Sequence, residues 1–142
     1  GFDAVLHLAG LSNDPLGDLS PQITYDINHA ASVRLARLAK QAGVTRFVFS
    51  SSCSNYGAAG DAPLDETAGF NPVTPYAESK VWVERDVAPM ADDSFSPTFL
   101  RSATAYGVSL SAIEEVAIAR ADKTIRPTIA IFFIDLPSFP GL

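Results

Sequence analysis

Tyr76 and Lys80 lie four residues apart in the stretch Pro75-Tyr-Ala-Glu-Ser-Lys80. On a helix that spacing stacks a phenol and an ammonium on one face, one turn apart. A neighbouring cation favours the phenolate, so the pair has the makings of a proton shuttle working near neutral pH. A third hydroxyl lies upstream, in Phe49-Ser50-Ser51-Ser52, where an apolar run ends in serines. The same residues admit a plainer role: an amphipathic tyrosine near a helix start and a solvated lysine. The distinction rests on what surrounds them.

The surrounding pattern alternates strands and helices. Ala4–Ala9 reads as a buried strand ending at Gly10. Leu11 to Leu19, with its Asn, Asp, Pro and Gly, reads as a loop. Ser20-Pro21 is expected to cap a helix carrying Ile23, Ile27, Ala31, Leu35 and Leu38 at helical spacing, ended by Gly43. Arg46–Ser51 is a second strand and Ser52 to Thr74 a long polar loop. Pro75 opens a helix to about Met90. Pro97–Arg101 is a third strand, and the Ser102–Ser109 loop follows it. This order predicts an α/β fold with right-handed parallel crossovers, in which ligands sit beyond the carboxyl ends of the strands. Gly10, Ser52 and Ser102–Gly107 all fall at that edge. Residues 111–122 read as a helix behind the capping box Ser111-Ala-Ile-Glu114, and Thr128–Ile134 as a further strand.

Bulk properties narrow the partners. The 142 residues suit one domain, and 47% hydrophobic content supports a core. A net charge of −6 with scattered Lys and Arg argues against nucleic acid and anionic membrane. The longest apolar run, Ile129 to Ile134, is too short to span a bilayer. Cys53 is the single cysteine, which fits a reducing, cytoplasmic setting. His7 and His29 are far apart without cysteine companions, so no metal site is expected. The chain opens at Gly1 directly into a core strand, without a signal-peptide pattern, and reads as a piece of a longer protein.

Four motifs in order resemble the NAD-dependent sugar epimerase/dehydratase family of extended short-chain dehydrogenases/reductases. They are His7-Leu-Ala-Gly10, Asn28 inside the first helix, Ser50-Ser-Ser-Cys-Ser-Asn-Tyr-Gly57, and Pro75-Tyr-Ala-Glu-Ser-Lys80. Leu100-Arg101 with Ala105-Tyr106-Gly107 resembles the family's next strand and loop. The resemblance covers about residues 3–109 and implies a partial Rossmann-like, doubly wound parallel sheet over 1–109, with 110–142 an unmatched tail. The family's glycine-rich pyrophosphate turn, Gly-x-x-Gly-x-x-Gly, has no counterpart among these residues.

The resemblance also implies roles. Tyr76 would be the acid/base for a sugar hydroxyl, its phenol brought from about 10 to roughly neutral, a change of roughly 4 kcal/mol. Lys80 would supply part of that and hold the nicotinamide ribose. Ser52 would orient the substrate oxygen. Leu8, Ala9, Gly10, Asn28, Ser50 and Ser51, with Tyr76 and Lys80, would form the cofactor-binding set. NAD is the implied cofactor, with NADP not excluded, and a nucleotide sugar the implied substrate. Ser52-Cys53-Ser54 stands where 4,6-dehydratases carry Thr-Asp-Glu, which favours epimerase- or reductase-like chemistry. Without the glycine turn, weak NAD binding and poor turnover are expected.

Plainer roles stand beside these. Asn28 would cap or back-bond, His7 would be a satisfied core histidine, Trp82 would pack, and Asp65 and Glu66 would be solvated. Arg101 suits a substrate phosphate or a strand-end salt bridge equally. A non-catalytic module dimerising through helices 21–42 and 75–90 is a second reading of the chain. An incomplete product with an exposed edge at 4–9 is a third, unless Thr128–Ile134 pairs with that edge.

Overall fold

The computed structural model of the chain describes residues 1–58, 64–103 and, as backbone, 128–130. Four parallel strands lie in chain order: β1 (Ala4–His7), β2 (Arg46–Ser52), β3 (Ser96–Ser102) and β4 (Thr128–Ala130). The register aligns His7 with Phe49, Phe49 with Phe99, and Ser52 with Ser102. The strand carboxyl ends therefore share one edge, as expected for a parallel α/β sheet.

Alternation along β2 shows why the sheet holds. Phe47, Phe49 and Ser51 are buried while Val48 and Ser50 are half-buried. Phe47, Phe49, Phe95 and Phe99 pack with Val33, Ala36, Ala39, Val83 and Val87 in one apolar core. His7 is buried beside Phe47 and Phe49, with Nε2 and the Ser32 hydroxyl 2.7 Å apart. Burial, helped by the charge of Lys80, lowers its pKa below the ordinary value. It is the satisfied core histidine the apolar strand implied.

The helices differ from the sequence expectation in instructive ways. The segment 11–19 is not all loop: α1 (Asp14–Asp18) forms there, its first turn capped by the Asn13 side chain accepting from Leu16 N at 3.0 Å. The helix expected from Ser20 runs as α2 (Pro21–Thr24), a π-helical turn (Tyr25–Ala30) and α3 (Ala31–Gln41). Its buried face is made of Thr24, Asn28, Ser32, Val33, Ala36 and Ala39. The stripe that announced the helix points away: Ile23, Ile27 and Leu38 are 54%, 42% and 51% exposed. Small residues face inward because the helix lies close to its neighbours, and bulk there would hold it off.

The long loop after β2 is likewise better ordered than its composition suggested. The 52–74 segment begins with a 3₁₀ turn (Cys53–Tyr56). α4 (Pro75–Val87) starts at Thr74, whose hydroxyl accepts from Ala77 N at 3.1 Å, and continues as a 3₁₀ turn (Ala88–Met90).

The pairing proposed for 128–134 is corrected. Thr128–Ala130 pairs with β3, opposite Thr98–Leu100, and not with the edge of β1. The sheet grows outward in chain order, so the free edge of β3 is the next available template. Residues 131–134, the helix expected at 111–122 and the Ala105-Tyr106-Gly107 stretch lie outside the described residues. No described helix is long and apolar enough to cross a membrane.

Candidate functional site

Strand β1 ends at the exposed Leu8, Ala9 and Gly10. Gly10 has φ +146°, and a Cβ there would meet the Asn28 amide oxygen at 2.7 Å. Asn28 explains the close approach. Its Oδ1 accepts from Leu11 N at 2.7 Å, and its Nδ2 donates to Leu11 O at 3.1 Å. The side chain is 1% exposed and committed to this backbone. It sits in the π-helical turn, where one extra residue per turn aims a side chain that a regular helix would direct elsewhere. Asn28 thus fixes the loop after β1 from within the helix.

At the end of β2 the three serines diverge. Ser50 contributes its carbonyl, which accepts from Lys80 Nζ at 2.8 Å. Ser51 donates its hydroxyl to Glu84 Oε1 at 2.5 Å. Ser52 caps the 3₁₀ turn by accepting from Ser54 N at 3.1 Å.

The α4 face carries Tyr76, Lys80 and Glu84 at four-residue intervals, all buried. Tyr76 is covered by α1: a Cβ on Gly17 would lie 2.9 Å from Tyr76 Cβ. The expected lowering of its phenol is not present in the protein alone. Burial holds Tyr76 above its ordinary pKa, the nearby Ser52 hydroxyl pulls it down, and the charges of Asp14 and Cys53 push it up. The ammonium of Lys80 lies 5.5 Å from the Tyr76 ring centroid and 4.7 Å from that of Phe49. Burial lowers it from 10.5 to about 8. Among the described residues it donates only to Ser50 O, which leaves two of its three N–H groups for a ligand.

Several residues acquire definite partners. Arg101 is a salt bridge, with Nη2 2.7 Å from Glu84 Oε2 and both groups buried. Trp82 packs between Tyr25 and His29 at 4.6 and 5.5 Å. Asp65 caps its own turn through Thr67, and Glu66 offers its carbonyl to Arg101. No group of three or more His, Cys, Asp or Glu among the described residues suits a metal.

The chain matches the sequence pattern of the NAD dependent epimerase/dehydratase family over residues 1–126. It belongs to that family. The UDP-glucose 4-epimerase of Lactobacillus helveticus is 36% identical over 76% of this chain and 33% of its own length. The chain spans about a quarter to a third of the length of the first of the curated relatives it matches. Among solved structures, the UDP-glucose 4-epimerase from Brucella ovis in complex with NAD superposes with TM-score 0.69 at 27% identity, covering 75% of this chain and 33% of that one. RMD from Pseudomonas aeruginosa complexed with NADPH gives 0.66 at 28% identity, covering 72% and 37%. The fold of this family member is accordingly a Rossmann-like parallel sheet.

Three contributors escaped the sequence reading. Asp14 accepts from the Thr74 hydroxyl, and Ser54 Oγ lies 3.5 Å from its second oxygen. It stood in a segment read as loop, so its helix and its proximity to Tyr76 had no local signal. Gly17 is needed only because Tyr76 arrives from a distant part of the chain. Glu84 was legible in part: it extends the Tyr76, Lys80 spacing by one more turn.

Proposed function

We propose that this chain carries the proton-shuttling part of an NAD-dependent nucleotide-sugar epimerase-type site, with Ser52, Tyr76 and Lys80 as its catalytic residues. The observation that supports this reading best is that the Tyr76–Lys80 face of α4 lies against the carboxyl end of β2, where Lys80 Nζ donates to Ser50 O and the strand ends at Ser52. Tyr76 takes the proton of a sugar hydroxyl, and the Ser52 hydroxyl orients the same oxygen. The two free N–H groups of Lys80 suit ribose hydroxyls. Gly10, with Leu8 and Ala9, presents exposed backbone at the strand end where the cofactor would lie, and Ser50 orients Lys80. Asn28 and Ser51 serve this set from behind, because their side chains are occupied by Leu11 and Glu84.

NAD, or NADP in its place, would supply the hydride acceptor and a positive charge. Burial keeps the Tyr76 proton in place until such a charge arrives beside it, so proton loss is coupled to occupancy by the oxidised form. Cys53 and Ser54 offer no carboxylic acid or carboxylate for eliminating water, which favours epimerase- or reductase-like chemistry. The lone Cys53 thiol fits a cytoplasmic setting.

Calorimetry with NAD on the wild type and on Tyr76→Phe/Lys80→Ala tests the reading. Weak binding by the wild type, reduced further in the double variant, is expected, because the residues include no glycine-rich pyrophosphate turn. Equal binding by both proteins, or none by the wild type, would overturn it.

A second reading, a dimerising module of the same fold, is favoured by the exposed Ile23, Ile27 and Leu38 along α2, the π-helical turn and α3. Sedimentation equilibrium checks it: a monomer at every concentration rules it out.

A further inference from the structure

Tyr76 stands where a helix restrains a side chain least. It is the second residue of α4, so no helical turn precedes it. In a helix interior the preceding turn excludes one of the three staggered χ1 positions. Here α1 occupies the place of that missing turn. A Cβ on Gly17 would lie 2.9 Å from Tyr76 Cβ, 3.2 Å from its N and 3.3 Å from its Cα. The backbone of α1 thus rests against the stem of the tyrosine, at a distance that only glycine allows.

Hydrogen bonds at both ends of α1 hold it there. Asp14, the first residue of α1, accepts from the Thr74 hydroxyl with one carboxylate oxygen, and Ser54 Oγ lies 3.5 Å from the other. Thr74 is the N-cap of α4, two residues before Tyr76, and its hydroxyl also accepts from Ala77 N at 3.1 Å. A hydroxyl has one proton to give. Asp14 takes that proton, which leaves the lone pairs of Thr74 to the helix. A carboxylate at a helix N-terminus is also favoured by the helix dipole. At the other end Gly17 O accepts from the buried Thr24 hydroxyl at 2.9 Å. One bond ties α1 to α4 and the other ties it to α2, with Gly17 seated on Tyr76 between them.

We propose that Asp14 is a positioning residue for Tyr76: through Thr74 it seats α1 on the first turn of α4, and Gly17 there confines the tyrosine to one χ1 rotamer. The proposal rests on the reading of Tyr76 as the acid/base. A phenol that swings between rotamers faces its substrate oxygen for only part of the time, and orientation of that kind is a large share of what a site contributes to rate. Asp14 does this through its acceptor oxygen. Its amide counterpart, which keeps that oxygen and lacks the charge, should serve as well.

The experiment is NMR on the full 142-residue chain labelled with carbon-13 and nitrogen-15. Three-bond couplings to the Cβ protons report χ1 of each tyrosine. Tyr56, buried against Arg101, is the internal reference. In the wild type both tyrosines should show single-rotamer couplings. In Asp14→Ala and in Gly17→Ala the Tyr76 couplings should fall to averaged values while those of Tyr56 stay unchanged. Asp14→Ala/Gly17→Ala should average no further, because both changes release the same contact. Asp14→Asn should keep the wild-type couplings. A single Tyr76 rotamer in Asp14→Ala, equal averaging at Tyr56, or averaging in Asp14→Asn as complete as in Asp14→Ala would each overturn the proposal. Thr74→Gly cuts the same bond from the other side at an N-cap position that tolerates glycine, so it decides the matter if Asp14→Ala does not fold. The couplings are read without cofactor, so their outcome is independent of the NAD calorimetry that tests the shuttle itself.

Discussion

Lys80→Met should stabilise the protein at neutral pH while removing a group the site needs. Lys80 is 6% exposed, and burial lowers its ammonium from 10.5 to about 8. Holding that charge in the fold at pH 7 therefore costs about 3 kcal/mol. Methionine keeps the unbranched stem and its packing on Phe49. It gives up the hydrogen bond to Ser50 O, worth about 1 kcal/mol, and the attraction to the Phe49 ring, worth about another 0.5–1 kcal/mol. The variant should emerge more stable by roughly 1–2 kcal/mol at pH 7 in urea denaturation. The sign of the pH dependence follows from the lowered value. Between pH 8 and 10.5 the unfolded chain holds the lysine proton and the folded one does not, so wild-type stability rises with pH across that window. The advantage of Lys80→Met should shrink accordingly and be smallest above 10.5. Tyr76, held above its ordinary value, keeps its proton through most of the window, so the difference between the two proteins isolates Lys80. A variant less stable than wild type at pH 7, or an advantage that does not change with pH, would refute this account of the buried ammonium.

Two further outcomes follow from the packing. Arg101→Met leaves the Glu84 carboxylate buried without its partner and should cost about 3–5 kcal/mol in denaturation, most of it recovered in Glu84→Gln/Arg101→Met; additive losses in the double variant would contradict the pairing. Gly10→Ala places a methyl 2.7 Å from Asn28 Oδ1 at φ +146° and should cost about 1–3 kcal/mol, read as a lowered Tm; an unchanged Tm would mean the loop after β1 is not held as described.

The sequence by itself determined the order of the strands, the helix that begins at Pro75, and the presence of Ser52, Tyr76 and Lys80 at one sheet edge, although the strand read as buried over Ala4–Ala9 ends at His7 and leaves Ala4 and Leu6 exposed. Those features depend on local periodicity and on the rule that parallel strands present their carboxyl ends together. Residues at i and i+4 on a helix share a face whatever the rest of the chain does. The same spacing carries on to Glu84, which the sequence reading nonetheless did not single out. Tertiary structure decided everything that required two distant segments to meet. It turned the Ile23, Ile27 and Leu38 stripe outward, because the close approach of the helix admits only small side chains such as Ser32 and Ala36. It gave Arg101 to Glu84, where the chain alone left a phosphate and a salt bridge equally open. It brought Asp14 and Gly17 onto Tyr76, so that the phenol is held above its ordinary pKa and not below it. Spacing fixes which groups can be neighbours on one element. The ionisation of a phenol depends on the burial and charges contributed by all the others, and no local pattern contains that sum.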